Sequence, residues 1–569
     1  LSARIKKITT LCIVYLHTVL LSACNITQFN QPSPAQLAQQ GNFIQAKQNV
    51  TQNYNKTGND RLLYHLEMAS LLQLEKNYLE SNEQLAVALT LIESFYTQSV
   101  TELALVQFSG PTYSTYKGKA YYLPQIHIMK ALNYNALAKL HPSDSGHYYD
   151  AALVEMRQLD VFLSQLKAQT GGYDVKQDDN FLSKKVYQLL KPIFAPSDLL
   201  ENIDYKDDAF AHFLSGVLFE QSGEWDAARL QYERAMFMYE NGFSQQYKLP
   251  EQIAEQTRLG LIRVMRRAGG YDSQLQALKP TSEHEAASAA NVTLLQNIGI
   301  APKRKQLNLL LRADTESKAL VMTPILLGNH KERQAQMRWF QMLHADTSIF
   351  DMMQNYILGD VGDVAMGALT KRLPLGPLWE DAVKLGVVDA LQFGARISVT
   401  YLEPLDNQVT HSEVWLNGQP LTTLLPYHSV SLLTLQDALK QANTEIHAAL
   451  SREILKALSA RKALHKVGFE QNDLFGNLAK LTSSVVNAVT ASADTRQWQT
   501  LPAEIRVAQL SLPTGEHDIT IKTYLRSGHI IEQSEHITAN DAMSLWHTRT
   551  FMKAQSEQAS LTNSTLNME

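Results

Sequence analysis

Residues Asp204–Glu240 read DYKDDAFAHFLSGVLFEQSGEWDAARLQYERAMFMYE, and the spacing of small and large side chains within them sets the expected fold. Gly216 and Phe219 fall on one predicted helix, Gly223-Glu224-Trp225 makes a turn, and Ala228, Tyr232 and Ala235 fall on a second helix. Counted from Gly216, those last three stand at +12, +16 and +19. Small residues at such positions let two antiparallel helices approach, while the larger ones fill the groove between them.

The same ruler fits an earlier stretch, Arg61–Glu93. With Ala69 as origin, Ser81 stands at +12, Leu85 at +16 and Ala88 at +19, with Asn77-Tyr78 at the turn. In both places the offsets resemble those of a tetratricopeptide repeat. A third unit is predicted over Pro124–Leu166, with Pro142 and Gly146 in its connecting loop. A fourth begins at Glu251, where LGLIRVMRRAGGYDSQL reads as helix, glycine stop and helix. Stacked helical pairs bury their apolar faces on their neighbours and present an extended concave surface. The tyrosine-dense segment YSTYKGKAYY (113–122) reads as packing that caps a repeat, with a sugar- or peptide-stacking surface as the alternative.

Outward toward the C-terminus, repeat character fades over Pro280–Gln336. Ala319–Leu327 (ALVMTPILL) reads as a short strand that Pro324 restricts to an edge. Residues 337–391 read as mostly helical. From Arg396 strand signals appear: RISVTYLEP alternates, and Asn417-Gly418 stands between two apolar runs as a hairpin turn. A long amphipathic helix over 435–467 is expected to dock on the adjacent sheet. Two further strands, Ile505–Ser511 and His517–Leu525, flank Leu512-Pro513-Thr514-Gly515. The expected fold class is therefore mainly α: a tetratricopeptide-like α-solenoid in the N-terminal half, followed by a smaller α+β C-terminal domain. The expected divisions are a signal peptide (1–23), a flexible tether (24–40), the helical repeat domain (41–280), a mostly helical connecting region (281–395), the α+β domain (396–553) and a disordered tail (554–569).

Outward toward the N-terminus, Arg4, Lys6 and Lys7 precede a short apolar core, TTLCIVYLHTVL, and then Leu21-Ser22-Ala23-Cys24. A basic start, a core too short to span ~30 Å of hydrocarbon and small residues before a cut describe an export signal. Leu21-Ser22-Ala23-Cys24 resembles the lipobox of bacterial lipoproteins. That resemblance implies recognition of Leu21, Ser22 and Ala23 by the peptidase and a diacylglycerol-modified thiol on Cys24 as the first mature residue. Asn25 after it favours the outer membrane over retention in the inner one. With Cys12 removed in the signal, Cys24 is the only remaining cysteine, so the mature chain has no internal disulfide and no multi-thiolate metal site. Two or more acyl chains anchor stably where one binds marginally.

Formal net charge is −5 for the whole chain, and losing Arg4, Lys6 and Lys7 with the signal leaves −8. That balance gives no footprint for nucleic acid. No P-loop, GxGxxG or GxSxG pattern occurs, and His284-Glu285 is followed by Ala-Ala-Ser rather than completing HExxH. No catalytic residue, metal ligand or cofactor site is expected. Asp494, Arg496 and Trp498, in ADTRQWQTLP, read as a structural corner: Asp494 and Arg496 pair, and Trp498 packs into the sheet ahead of the final hairpin.

The lipobox, FAHFLSGVLFEQSGEWDAARLQYERA, ALSREILKALSARKALHK and ADTRQWQTLPAEIRVAQLSLPTGEHDI together resemble a family of proteobacterial envelope lipoproteins with tetratricopeptide-like helices. The family has no assigned catalytic residues. Its members are encoded near lipoproteins that activate peptidoglycan synthases, which implies a setting in cell-wall assembly. The expected function is a noncatalytic, membrane-anchored periplasmic adaptor that binds a protein partner in cell-envelope assembly, with peptidoglycan or outer-membrane assembly as the setting. The competing expectation is a cell-wall or polysaccharide enzyme with carboxylates in Gly299–Lys384.

Overall fold

The structure is a computed structural model that describes residues 32–97, 112, 114–170, 208–278, 289–343, 353, 356–357, 370–392, 394–405, 409–466 and 492–552. The N-terminal body is built of helices α1 Pro34–Gln39, α2 Phe43–Asn53, α3 Arg61–Leu74, α4 Tyr78–Thr97, α5 Tyr122–Leu140, α6 Ser145–Thr170, α7 Ala209–Gln221, α8 Trp225–Met238, α9 Gln252–Ala268 and α10 Asp272–Ala277.

Two helical pairs, α3/α4 and α7/α8, match position for position. Each first helix ends in a six-residue loop-back: Asn77 N–H donates to Leu72 C=O in one, and Glu224 N–H to Phe219 C=O in the other, both at 2.9 Å. This turn needs one left-handed residue. Gly223 supplies it in the second pair (φ 75°) and Lys76 in the first (φ 62°). A buried histidine–glutamine contact recurs at equal offsets: His65 Nδ1 to Gln84 Oε1 (2.8 Å) and His212 Nδ1 to Gln231 Oε1 (2.6 Å). Ala69, Ser81, Leu85 and Ala88 are fully buried, as are Ala228, Tyr232 and Ala235. Ser81 Oγ donates to Ala69 C=O at 2.8 Å, clipping the pair together. A Cβ on Gly216 would lie 2.9 Å from the Tyr232 ring, and one on Gly260 of α9 would lie 3.1 Å from the same ring. Tyr232 is thus held between two helices that must both be bare at the contact.

The sheets overturn the expected fold class. About 53% of the described residues are helical and 23% are in strands, and the fold is not a mainly α solenoid with a small α+β appendage. Strands β1 Val292–Ile298, β2 Arg304–Asp314, β3 Ala319–Ile325, β4 Lys371–Pro374, β5 Ala395–Leu402, β6 Val409–Leu416, β7 Gln419–His428, β8 Glu504–Leu510, β9 Gly515–Leu525, β10 Ile530–Ala539 and β11 Ser544–Thr550 form two sheets. Their orders are β10-β9-β6-β7-β8-β1-β11 and β4-β3-β2-β5. Strands β1, β2 and β4 are not among the expected strands, whereas β3 falls on the short strand read at Ala319–Leu327, although it lies between β4 and β2 rather than at an edge. The physical reason is visible in β1, which lies between antiparallel β8 and parallel β11. It is buried on both faces, and polar Thr293 and Gln296 are buried along with its apolar residues, so no apolar–polar alternation marks it as a strand.

The seven-stranded sheet curls into a nearly closed barrel. Asn417 (φ 52°) and Gly418 (φ 75°) make the two-residue turn joining β6 to β7. One end of the interior is apolar, with Leu294, Val414, Leu424, Ile519 and Ile521 buried together. The other end is polar: Gln296 donates to Thr523 Oγ1 (2.8 Å) and Thr550 Oγ1 (2.9 Å). Where β10 faces β11, side chains bridge the seam. Thr548 bonds Gln533 and Glu535, and Thr550 Oγ1 donates to Gln533 Oε1 at 2.9 Å. Higher along the seam the helices cap β11: Asn135 Nδ2 and Lys139 Nζ donate to Leu545 C=O, and Leu545 N–H donates to Gln221 Oε1. Lys139 Nζ also sits 3.3 Å over the Trp546 ring, a pairing that suits a cation with little access to water. An exposed strand edge invites association, and here helices α5 and α7 cover it.

The second sheet is covered by α11 His330–Met342, whose Trp339 is fully buried, and by the long helix α14 Val430–Lys466. Two short helices, α12 Trp379–Lys384 and α13 Val387–Ala390, lie between β4 and β5. Leu439, Ile446, Leu450 and Ile454 of α14 share one core with Leu307, Ile397 and Val399 of the sheet.

Candidate functional site

The residues singled out in ADTRQWQTLP do form a corner, on the helices rather than in the sheet. Arg496 closes on Asp494 with two bonds of 2.8 Å, then reaches Asp60 Oδ1 (3.0 Å) and Ser114 C=O (2.9 Å) with its other nitrogen. Trp498 is fully buried against Leu62, Leu66, Tyr122 and Ile126. Its indole N–H donates to Ser70 Oγ at 2.8 Å, and its backbone N–H to the Tyr122 hydroxyl at 2.9 Å. Glu67 of α3 then receives Gln499 N–H (2.5 Å), Thr500 N–H (3.2 Å) and the Thr500 hydroxyl (2.6 Å). Burial pushes this carboxyl up to about 7, against the pull of those donors. This face of α3 and α5 is therefore occupied by residues of the 494–501 segment of the same chain. Tyr116, Tyr121 and Tyr122 of the tyrosine-dense segment are buried in this contact.

Beside the corner lies a buried ion network. Arg304 bonds Glu445 and Thr400 (2.7 Å to Oγ1), and Lys119 Nζ bonds Gln441 Oε1 (2.6 Å) and stands 3.7 Å from Asp437 Oδ2. Burial raises the Asp437 carboxyl and lowers the Lys119 ammonium, and each partly restores the other's charge. These groups tie α14 to β2, β5 and the 114–121 loop. A buried ion pair of this kind is weak evidence for chemistry and serves packing register equally well. In the stretch proposed for an enzyme's carboxylates, Asp314 is paired with Arg372 (2.9 Å) and Glu332 with Lys305 (2.9 Å). Among the described residues no group of three or more His, Cys, Asp or Glu is placed to hold a metal. No helix among the described residues is long and apolar enough to cross a membrane. Cys24, Leu21, Ser22 and Ala23 lie outside the described residues.

A different surface collects polar and aromatic groups in the open. The helices meet the barrel at β7, β8 and β11, while the outward residues of β6, β9 and β10 face solvent. There Glu413 accepts the Trp415 indole N–H (2.9 Å) and the Tyr524 hydroxyl (3.1 Å), and it lies 3.7 Å from His411 Nε2. The His411 and Tyr524 rings stack directly across the strands, 4.3 Å apart and 7° from parallel. Lys522 Nζ sits 4.2 Å over the Trp415 ring and 3.0 Å from Glu532. Partial burial and the Glu413 carboxylate hold the Tyr524 hydroxyl protonated above its ordinary range. One carboxylate thus fixes two aromatic rings on a rigid sheet, where their ordering entropy is already spent before anything binds.

The sequence reading missed this group. Its local signal, alternation at 411, 413 and 415 and at 522 and 524, is ordinary for any half-exposed strand. Nothing local shows that β6 pairs with β9, more than a hundred residues later.

No family model, curated protein or solved structure matches the chain.

Proposed function

We propose that the chain is a lipid-anchored envelope protein that binds a macromolecular partner without catalysing a reaction, and that it binds through the outer face of β6, β9 and β10. The observation that carries this reading is the Glu413-centred set of Trp415, Tyr524 and His411, preorganised on a sheet face that the helices leave uncovered. Tyrosine and tryptophan concentrate binding energy because they bury much area for few rotatable bonds. The described acids of the core support the noncatalytic half: Glu67, Glu220 and Glu445 are engaged by donors of this chain rather than turned to a cleft. The lipid anchor rests on Leu21-Ser22-Ala23-Cys24, with the outer membrane as its destination and cell-wall assembly as the setting.

The test is a photo-crosslinking amino acid placed in intact cells at Thr520, which pairs with Trp415 across the face, with exposed Val161 of α6 as control. A discrete adduct at Thr520, absent at Val161 and lost with Tyr524→Ala, is expected; equal labelling at both positions overturns the reading. For the anchor, Cys24→Ala should move the protein from the membrane to the soluble fraction and abolish incorporation of labelled palmitate.

A further inference from the structure

We infer that the partner of this face is a basic polypeptide segment, rich in arginine or lysine; the inference rests on the binding reading above. Four carboxylates point outward from the three strands, Glu413, Glu516, Asp518 and Glu532, against the single ammonium of Lys522. Two of them, Glu516 and Asp518, are widely exposed at 74% and 88% and share only His536, which lies 2.8 Å from Asp518 and 3.7 Å from Glu516. The hydrogen bond to Asp518 raises the His536 imidazole, so the corner already draws positive charge.

The chain itself shows how this face receives a cation. Lys522 lies with its ammonium between the Trp415 ring and the Glu532 carboxylate, a carboxylate on one side and an indole face on the other. Guanidinium groups favour such paired sites, stacking on aromatic rings while bonding carboxylates. Across the register, one row carries the carboxylates and the next carries the rings. Glu532 pairs with Lys522 and then Glu413, while Ile530 pairs with Tyr524 and then His411. Outward side chains along β9 (Glu516, Asp518, Thr520, Lys522 and Tyr524) are spaced about 7 Å apart, so an extended segment would set successive basic residues on Glu516 and Asp518 and, about 20 Å beyond Asp518, lay a further one on the Tyr524 ring. The apolar rim, Ile530 at 46% and Leu421 at 42% exposed, suits the intervening contacts.

The test uses the purified full chain and a fluorescein-labelled nine-residue peptide of alternating arginine and serine, read by anisotropy at low and moderate salt. Binding is expected to weaken at least tenfold in the Glu516→Lys/Asp518→Lys/Glu532→Lys variant and severalfold in Tyr524→Ala. A control with three reversals elsewhere, Glu83→Lys/Glu251→Lys/Glu316→Lys, should change it less than twofold. Equal loss in the control would overturn the inference, because attraction would then be to net charge alone. Loss with Tyr524→Ala but not with the three reversals on the face would also overturn it, while leaving the binding reading intact. Absence of peptide binding together with a Tyr524-dependent adduct at Thr520 would reject the basic partner and keep the face. Absence of both would reject the face as well. Far-ultraviolet circular dichroism of each variant separates these outcomes from misfolding.

Discussion

The pairs α3/α4 and α7/α8 share a backbone plan yet receive the sheet-bearing half in opposite ways. On the first, the aromatic that docks is Trp498, and the contact is polar at its edges: Ser70 accepts the indole N–H, and Glu67 receives two backbone N–H groups and a hydroxyl. On the second, the aromatic is Tyr427 near the end of β7, and the contact is mostly a ring cluster, with the Tyr239 hydroxyl donating to Tyr427 C=O and the Tyr427 hydroxyl to Gln256 Oε1, both at 3.1 Å. Phe213 lies 4.5 Å from the Tyr427 ring and Tyr239 5.9 Å from it. Counted from the origins Ala69 and Gly216, the position that holds Glu67 in one pair holds Leu214 in the other. The lesson is that the helical hairpin sets where a partner segment lies, while a few face positions set whether it is held by directional bonds or by area. Directional bonds fix register; apolar burial contributes more energy and less specificity.

The largest expected effect comes from removing the first anchor. Trp498→Ala empties a fully buried site and leaves Ser70 Oγ without its indole donor. Truncations of this size cost about 3–5 kcal/mol. Chemical denaturation should show a loss in that range, and limited proteolysis should then cut near residues 492–503 under native conditions. A loss below about 1 kcal/mol would mean that the corner is held by Arg496 and Glu67 instead.

Glu67 makes the polar contact sensitive to pH. Its folded carboxyl stands at about 7 because burial outweighs its donors, against an unfolded value near the ordinary ~4.3 for glutamate. A raised pKa contributes stability that is fully present below the unfolded value and is lost as pH rises through the folded one. Glu67→Gln keeps the side-chain shape and one of the two acceptor oxygens, and it removes that dependence. The wild type should therefore lose roughly 2–3 kcal/mol relative to the variant between pH 5 and 8, at about 1.36 kcal/mol per unit. Leu214 carries no such charge, so Leu214→Met should leave the pH profile unchanged. A flat difference between wild type and Glu67→Gln over that range would show that Glu67 does not titrate there.

Gly216 and Ala69 sharpen the comparison inside the pairs. Gly216→Ala places a methyl 2.9 Å from the Tyr232 ring, and Tyr232 is fixed by Glu220, itself held by Arg263 at 2.8 Å. Overpacking of this kind costs about 1–3 kcal/mol. In the first pair Leu85 stands where Tyr232 does and Ala69 is accommodated beside it. Gly216→Ala combined with Tyr232→Leu should therefore cost less than the sum of the two single changes, a coupling that a double-mutant cycle in urea reads directly.

What was legible follows from how local each contact is. The offsets +12, +16 and +19 are contacts within one hairpin, so the sequence carries them within a window of about twenty residues. The histidine–glutamine pairs were equally visible, at four residues before each origin and fifteen after, and went unread. The barrel was hidden for two reasons: β1 lacks alternation because both its faces are buried, and its partner β11 lies about 250 residues away. Trp498 was read as packing into the sheet because its neighbours are strands in sequence; in space its contacts are Ser70 and Tyr122, hundreds of residues earlier. The Glu413 face needs the β6–β9 register, which no local pattern encodes.

The smallest expected effect falls on the turn that the two pairs share. Lys76 takes the left-handed conformation at φ 62° where its counterpart is Gly223 at φ 75°. A side chain there carries a steric cost that glycine avoids, although glycine loses more backbone freedom on folding. At a position already left-handed the first term is the larger, so Lys76→Gly should stabilise by roughly 0.5–1 kcal/mol. Gly223→Ala should destabilise by a similar amount, and both are read as shifts in the urea midpoint at constant slope. Lys76 also lies near His547, whose imidazole is held down to about 4 by burial first and by Lys139 and Lys76 after it. At neutral pH that imidazole is uncharged, so the Lys76 charge adds nothing there, and Lys76→Gln, which removes the charge and keeps the strained backbone, should leave stability nearly unchanged. If Lys76→Gly and Lys76→Gln stabilise equally, the turn itself costs nothing and the backbone equivalence of the two pairs has no energetic content.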